Sequence, residues 1–156
     1  MTFKLTGLSL ACGVLLHVSC AQAAGPVNVE ADQMEIIDAD HQTVFKGNVI
    51  AVRTNDKIKS DEMIVTNKEE KQTDGSVKSV TDLLDAKGNV VITTKTQTIT
   101  GNAAKFYVQV DKLEVTGNVV VTEGKSVIKG AKLNVDLKTN RLQMSGGRVS
   151  GSFVPK

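Results

Sequence analysis

The stretch Ile99-Thr100-Gly101-Asn102-Ala103-Ala104-Lys105-Phe106-Tyr107, followed after a short turn by Leu113-Glu114-Val115-Thr116-Gly117-Asn118-Val119-Val120-Val121, holds the two elements from which the chain is built. In the second piece Leu113, Val115, Val119 and Val121 recur at even spacing, the period of a strand with one buried face. Val, Ile and Thr dominate, and β-branched side chains favour a pleated surface. The first piece carries a slip of phase. Ile99 and Gly101 share one parity, while Ala104, Phe106 and Val108 share the other. Both halves can face one core only if the strand bulges or bends between them.

Working outward, both elements recur. Gly-Asn-Val stands at Gly47-Asn48-Val49, Gly88-Asn89-Val90 and Gly117-Asn118-Val119, with Gly147-Arg148-Val149 read as a degenerate fourth copy; the Gly spacings are 41, 29 and 30. The slipped element begins at Val29, Ile58, Ile99 and Ile128, in steps of 29, 41 and 29. Two independent series share one period, so the chain is a repeat array. Each series has one long step, which assigns an insertion between Val65 and Gly88. The polar run over residues 67–76 marks an inserted surface loop, taken as residues 67–79. The residue at the slip is Ala31, Ser60, Gly101 or Gly130, always small, as a strand turning a corner against a neighbouring sheet requires. Brief turns join the segments, and turns that short connect only antiparallel neighbours. The expected fold is therefore all-β: eight segments, each bent once, in an antiparallel stack with a free edge at either end.

The chain has 156 residues, of which 40% are apolar but only 3% aromatic, so its core is aliphatic. Residues 1–23 read as a cleaved export leader. Lys4 supplies the basic start, Leu5 to Val18 an apolar run, and Ala21-Gln22-Ala23 the small-x-small cleavage pattern. A retained membrane span is the alternative, as is a lipid anchor on Cys20, although His17 stands where such a motif wants an aliphatic residue. The domain then runs over residues 24–156. Cys12 and Cys20 both lie in the leader, so the exported domain is expected to hold together without disulfides.

Charge is nearly balanced, 19 basic against 17 acidic residues, and there is no aromatic platform. Nucleic acid is thus not an expected partner. Outside the leader only His41 remains, in the polar turn Asp38-Ala39-Asp40-His41-Gln42, with no Cys nucleophile and no His pair for zinc. We expect no enzyme, no catalytic residues, no cofactor and no metal. Arg53, Lys57 and Lys59 form a small basic group at the rim of the fold, suited to an anionic headgroup or to guarding a strand edge. Two features ask for a function. The free edges, over about residues 27–37 and 141–154, invite pairing with other chains; Val27, Val29, Val149 and Phe153 are the expected edge residues. The aliphatic interior suits either a filled core or a groove for acyl chains.

Ala31-Asp32-x-Met34, Ser60-Asp61-x-Met63, Gly101-Asn102-Ala103, Thr116-Gly117-Asn118-Val119 and Gly130-Ala131-x-Leu133, in this order behind an export leader, resemble the OstA family across the mature chain. The resemblance implies a bent β-jellyroll open at both ends, located in the periplasm. It also implies that copies stack head to tail, bridging an inner-membrane transporter complex to an outer-membrane assembly protein, and that lipopolysaccharide moves along the interior with its lipid A acyl chains inside. The lining positions carried over are Val29, Ile36, Phe45, Val49, Ile58, Val65, Val90, Ile92, Ile99, Phe106, Val119, Ile128 and Val135. Alternatives are the membrane-anchored partner of the same pathway, or a polysaccharide-binding or structural β-repeat protein.

Overall fold

The computed structural model describes residues 26–154; the leader expected over residues 1–23 lies outside them. The strands are β1 (Asn28–Glu30), β2 (Gln33–Ile37), β3 (Gln42–Arg53), β4 (Asp56–Lys71), β5 (Val77–Thr93), β6 (Gln97–Tyr107), β7 (Lys112–Glu123), β8 (Ser126–Asp136), β9 (Arg141–Ser145) and β10 (Ser150–Ser152). Among the described residues the only helical pieces are single 3-10 turns at Asp38–Asp40 and Val108–Val110. All pairings are antiparallel and follow chain order. β1 and β2 are two halves of one bent segment on β3, and β9 and β10 are likewise two halves of one segment on β8. The eight bent segments read from the repeat are therefore present. The first and last pair with each other nowhere, so the sheet stays open.

The corner has a definite chemistry. Lys46 pairs with Glu62 and Val49 with Ser60, so Gly47 and Asn48 oppose the single residue Asp61, a β-bulge. Gly88-Asn89 and Gly117-Asn118 bulge in the same way against Asn102 and Ala131. Gly47 (φ 79°) and Asn48 (φ 48°) are both left-handed, a region that Gly enters freely and Asn more readily than most residues. This is the physical reason for the Gly-Asn pair. The fourth corner sits one residue earlier than the spacing suggested, at Gly146-Gly147. Gly146 (φ 81°) packs on Ala131 as Gly117 (φ 80°) packs on Asn102, so Arg148 is not the Asn equivalent. Opposite, a Cβ on Gly101 would stand 2.6 Å from Val115 Cγ1, and one on Gly130 would stand 2.5 Å from Met144 Cγ. Small residues at the slip are thus demanded by the neighbouring strand.

Residues 67–79, expected as a loop, instead lengthen the β4–β5 hairpin. Asn67–Lys71 pair with Val77–Thr81, leaving only residues 72–76 to turn. Lys68 ties this extension together, reaching Asp82 at 2.9 Å and Glu70 at 3.4 Å.

Arg53 Nη1 lies 3.2 Å from Asp111 Oδ1. Followed through the ladders, Arg53 is level with Glu123, whereas Asp111 lies at the far end of β7. Laid flat, the two would be about 40 Å apart along the strand direction. The sheet is therefore folded back on itself along the line of corners, and its two halves share one core.

Candidate functional site

Register assigns the inward face to four rows. On one side of the corner run Val49, Val90 and Val119, then Val29, Ala51, Ile58, Ile92, Ile99, Val121 and Ile128. On the other run Phe45, Met63, Ala86, Ala104, Val115 and Leu133, then Ile36, Val65, Leu84, Phe106, Leu113, Val135 and Leu142. Next to the corner the interior is filled, with Val49, Met63, Val115 and Val119 each fully buried. Toward the strand ends the halves part. A cavity of about 610 Å³ opens there, walled by Ala51, Ile58, Ile92 and Ile99 on one half and by Leu84, Phe106, Leu113 and Val135 on the other. Its rim is polar: Arg53, Asn55, Asp56, Lys95, Gln97 and Asn140. This volume lies in the range of small-molecule sites. Its walls can shelter hydrocarbon.

The sequence-derived lining positions divide into three sets. Ile58, Ile92, Ile99, Phe106 and Val135 line the cavity. Val49, Val90 and Val119 lie in the closed part of the core, and Val29, Phe45, Val65 and Ile128 are half-buried against it. Ile36 is 63% exposed on the unpaired N-terminal edge, beside Met34 at 61%. Of the expected edge residues, Val29 is on β1, Val27 reaches the cavity, and Val149 and Phe153 flank β10, largely exposed. Leu84 and Leu113, alternating in step with Ala86 and Val115, are wall residues not among the positions that the family resemblance implies.

Arg53, Lys57 and Lys59 do not form one group. Lys57 and Lys59 are exposed on the outer face, but Arg53 turns inward with its side chain 17% exposed. Its guanidinium carbon stands 4.7 Å from the centroid of the Phe106 ring, a cation–π contact, while Nη1 donates to Asp111. Parity could have found this, since Arg53 continues the inward series Val49, Ala51. His41 is exposed in a turn, and among the described residues no cluster of His, Cys, Asp and Glu could hold a metal ion.

Residues 28–141 match the family described as LptA/(LptD N-terminal domain) LPS transport protein. Among solved structures, the fold is similar to that of LptH, the LptA-homologous periplasmic component of the lipopolysaccharide transport device of Pseudomonas aeruginosa. The TM-score is 0.72 at 14% identity, covering 84% of this chain and 96% of that one. No curated protein sequence matches.

Proposed function

This chain belongs to the LptA/LptD N-terminal-domain family of LPS transport proteins, and from that premise we propose that it is a non-enzymatic periplasmic carrier that holds lipopolysaccharide by its acyl chains. The observation that carries the reading is the apolar cavity between the two halves, open at the strand ends and rimmed by polar side chains. Acyl chains are costly to leave in water, and each CH₂ transferred to such a wall gains roughly 0.8 kcal/mol. Walls without polar anchors set no fixed depth for a chain, which suits passage along the trough rather than capture.

We further propose that copies join head to tail into a bridge between related jellyroll domains at the inner and outer membranes. Among the described residues the outer edges of β1/β2 and β9/β10 have no paired strand, which supports this. So does the placement of exposed apolar residues, with Met34 and Ile36 ending the inward rows at one edge and Leu142 at the other. Edge-to-edge pairing would cover these side chains and run one trough into the next.

A photocrosslinker at Phe106, on the inward face, is expected to label lipopolysaccharide, whereas one at the exposed Lys105 is not. Labelling from Lys105 alone would refute an interior path.

A further inference from the structure

Among the described residues Arg53–Asp111 is the one ion pair that joins the two halves of the folded sheet; the pairs of Lys68, Lys87 and Lys132 all lie within one half. Its Arg53 end lies on the rim of the cavity. Arg53 sits at the end of β3, and Asp111 sits in the β6–β7 turn, where Leu137 N donates to the Asp111 carbonyl at 2.9 Å. We propose that this pair is a latch, and that Arg53, on leaving Asp111, binds the anionic group of an acyl amphiphile whose chains enter beneath it. The proposal rests on the carrier reading above and names the chemistry its site selects.

Three features support it. Arg53 stands on the rim of the cavity whose walls include Ile58, Ile92 and Ile99, so a head group held over that opening competes with Asp111 for the guanidinium. Arg53 also has a second partner: the Phe106 face lies 4.7 Å away and belongs to the cavity wall. The guanidinium can therefore stay over the mouth when the carboxylate leaves. Charge balance then selects the ligand. A partly buried guanidinium left without an anion is penalised, so an amphiphile with a phosphate or carboxylate next to its chains replaces Asp111 at little cost, and a neutral one does not. A planar guanidinium suits such oxygens because it can donate two parallel hydrogen bonds. The other charged rim groups, Asp56 and Lys95, flank the same opening.

The test is isothermal titration of the purified protein with dodecyl phosphate and with the neutral dodecyl maltoside, both below micelle formation. Wild type should bind dodecyl phosphate about tenfold more tightly, the scale of a charge-assisted hydrogen bond. Arg53→Gln should abolish that preference yet retain maltoside binding, and Lys59→Gln on the outer face should change neither. Asp111→Asn should tighten both by about threefold, as expected for loss of a partly exposed ion pair. If Arg53→Gln does not fold, the direction of the Asp111→Asn change decides alone, and weaker binding overturns the latch. Lipid A and phosphatidylglycerol as competitors identify the source of the anionic group; displacement by neither counts against the proposal. Equal binding of both probes to wild type and Arg53→Gln overturns the latch and leaves the carrier standing. Binding of neither probe sinks the carrier reading and the latch with it.

Discussion

Asn89 donates from its side-chain amide to the Asp61 carboxylate at 2.7 Å, across two strands that meet at the fold line. Asn48 does the same to Asp32 at 2.8 Å one repeat earlier, with Asp32 N donating to the Gly47 carbonyl at 2.9 Å. Each clasp joins the slipped motif of one segment to the Gly-Asn motif of the next. The two sequence series are thus the two halves of a single corner.

Asn89→Ala should lower stability by about 1–2 kcal/mol, through the lost hydrogen bond and an alanine forced into the left-handed region. Asn89→Gly should cost less, because it relieves the backbone term. Urea unfolding of the three proteins, with unchanged slope, measures the difference.

Gly101→Ala should destabilise by about 1–3 kcal/mol, because its Cβ would meet Val115 Cγ1 at 2.6 Å and the Thr116 carbonyl oxygen at 3.2 Å. At Gly75 nothing lies within 4 Å and φ is 85°, so Gly75→Asn, which tolerates that backbone, should stay within about 0.5 kcal/mol of wild type. Comparable melting of the two variants would refute the packing account of the small corner residue.

If copies join head to tail as proposed, assembly should grow with concentration rather than stop at a closed dimer, because a heterologous contact leaves a free edge at each end. Val149→Pro, between the last corner and β10, should weaken that growth by about fivefold, the worth of one backbone hydrogen bond, and leave the monomer folded. Sedimentation velocity over a concentration series gives both answers.

Acid should loosen the β8–β9 turn before the core. The Asp136 carboxylate accepts from the backbone N–H of Thr139 and of Lys138, each at 3.0 Å, and these bonds hold it below its ordinary value of 3.8. A carboxyl lowered by folding stabilises the fold fully above its unfolded value, and that contribution is lost as pH falls through the folded one. Asp74 follows the same rule, lowered by the Ser76 hydroxyl at 2.6 Å and the Ser76 amide. Exchange of the Lys138, Thr139 and Ser76 amides, corrected for intrinsic rate, should lose protection only below about pH 4. Loss nearer neutrality would contradict this.

Most of the fold was legible because its determinants are local. Alternation reports which side chains face inward, the slip between Gly101 and Ala104 marks the corner, and turn length dictates antiparallel neighbours. The insertion was misread as a loop because a two-stranded extension has no core to face. Its residues are mostly polar, and Val77 and Val80, three positions apart, fall on opposite faces, so no alternation marks a strand. The fourth corner was displaced by one residue because Gly146 and Gly147 both satisfy a glycine search, and only the contact with Ala131 tells them apart. The site was legible in part. Parity reveals that Ile99, Phe106 and Arg53 look inward, but not how far apart the halves stand. Filled core at Val119 and open cavity at Ile99 therefore look alike in sequence.

The corner fastenings thin out along the chain. Asp32–Asn48 and Asp61–Asn89 are carboxylate–amide clasps, Asn102 instead meets Gly117 through its side chain, and Ala131 faces bare glycine. The four turns form a graded series with unlike extremities. A molecule flipped end for end would present neither the same backbone hinge nor the same side chains to a neighbour, so polarity is already inscribed in a single copy.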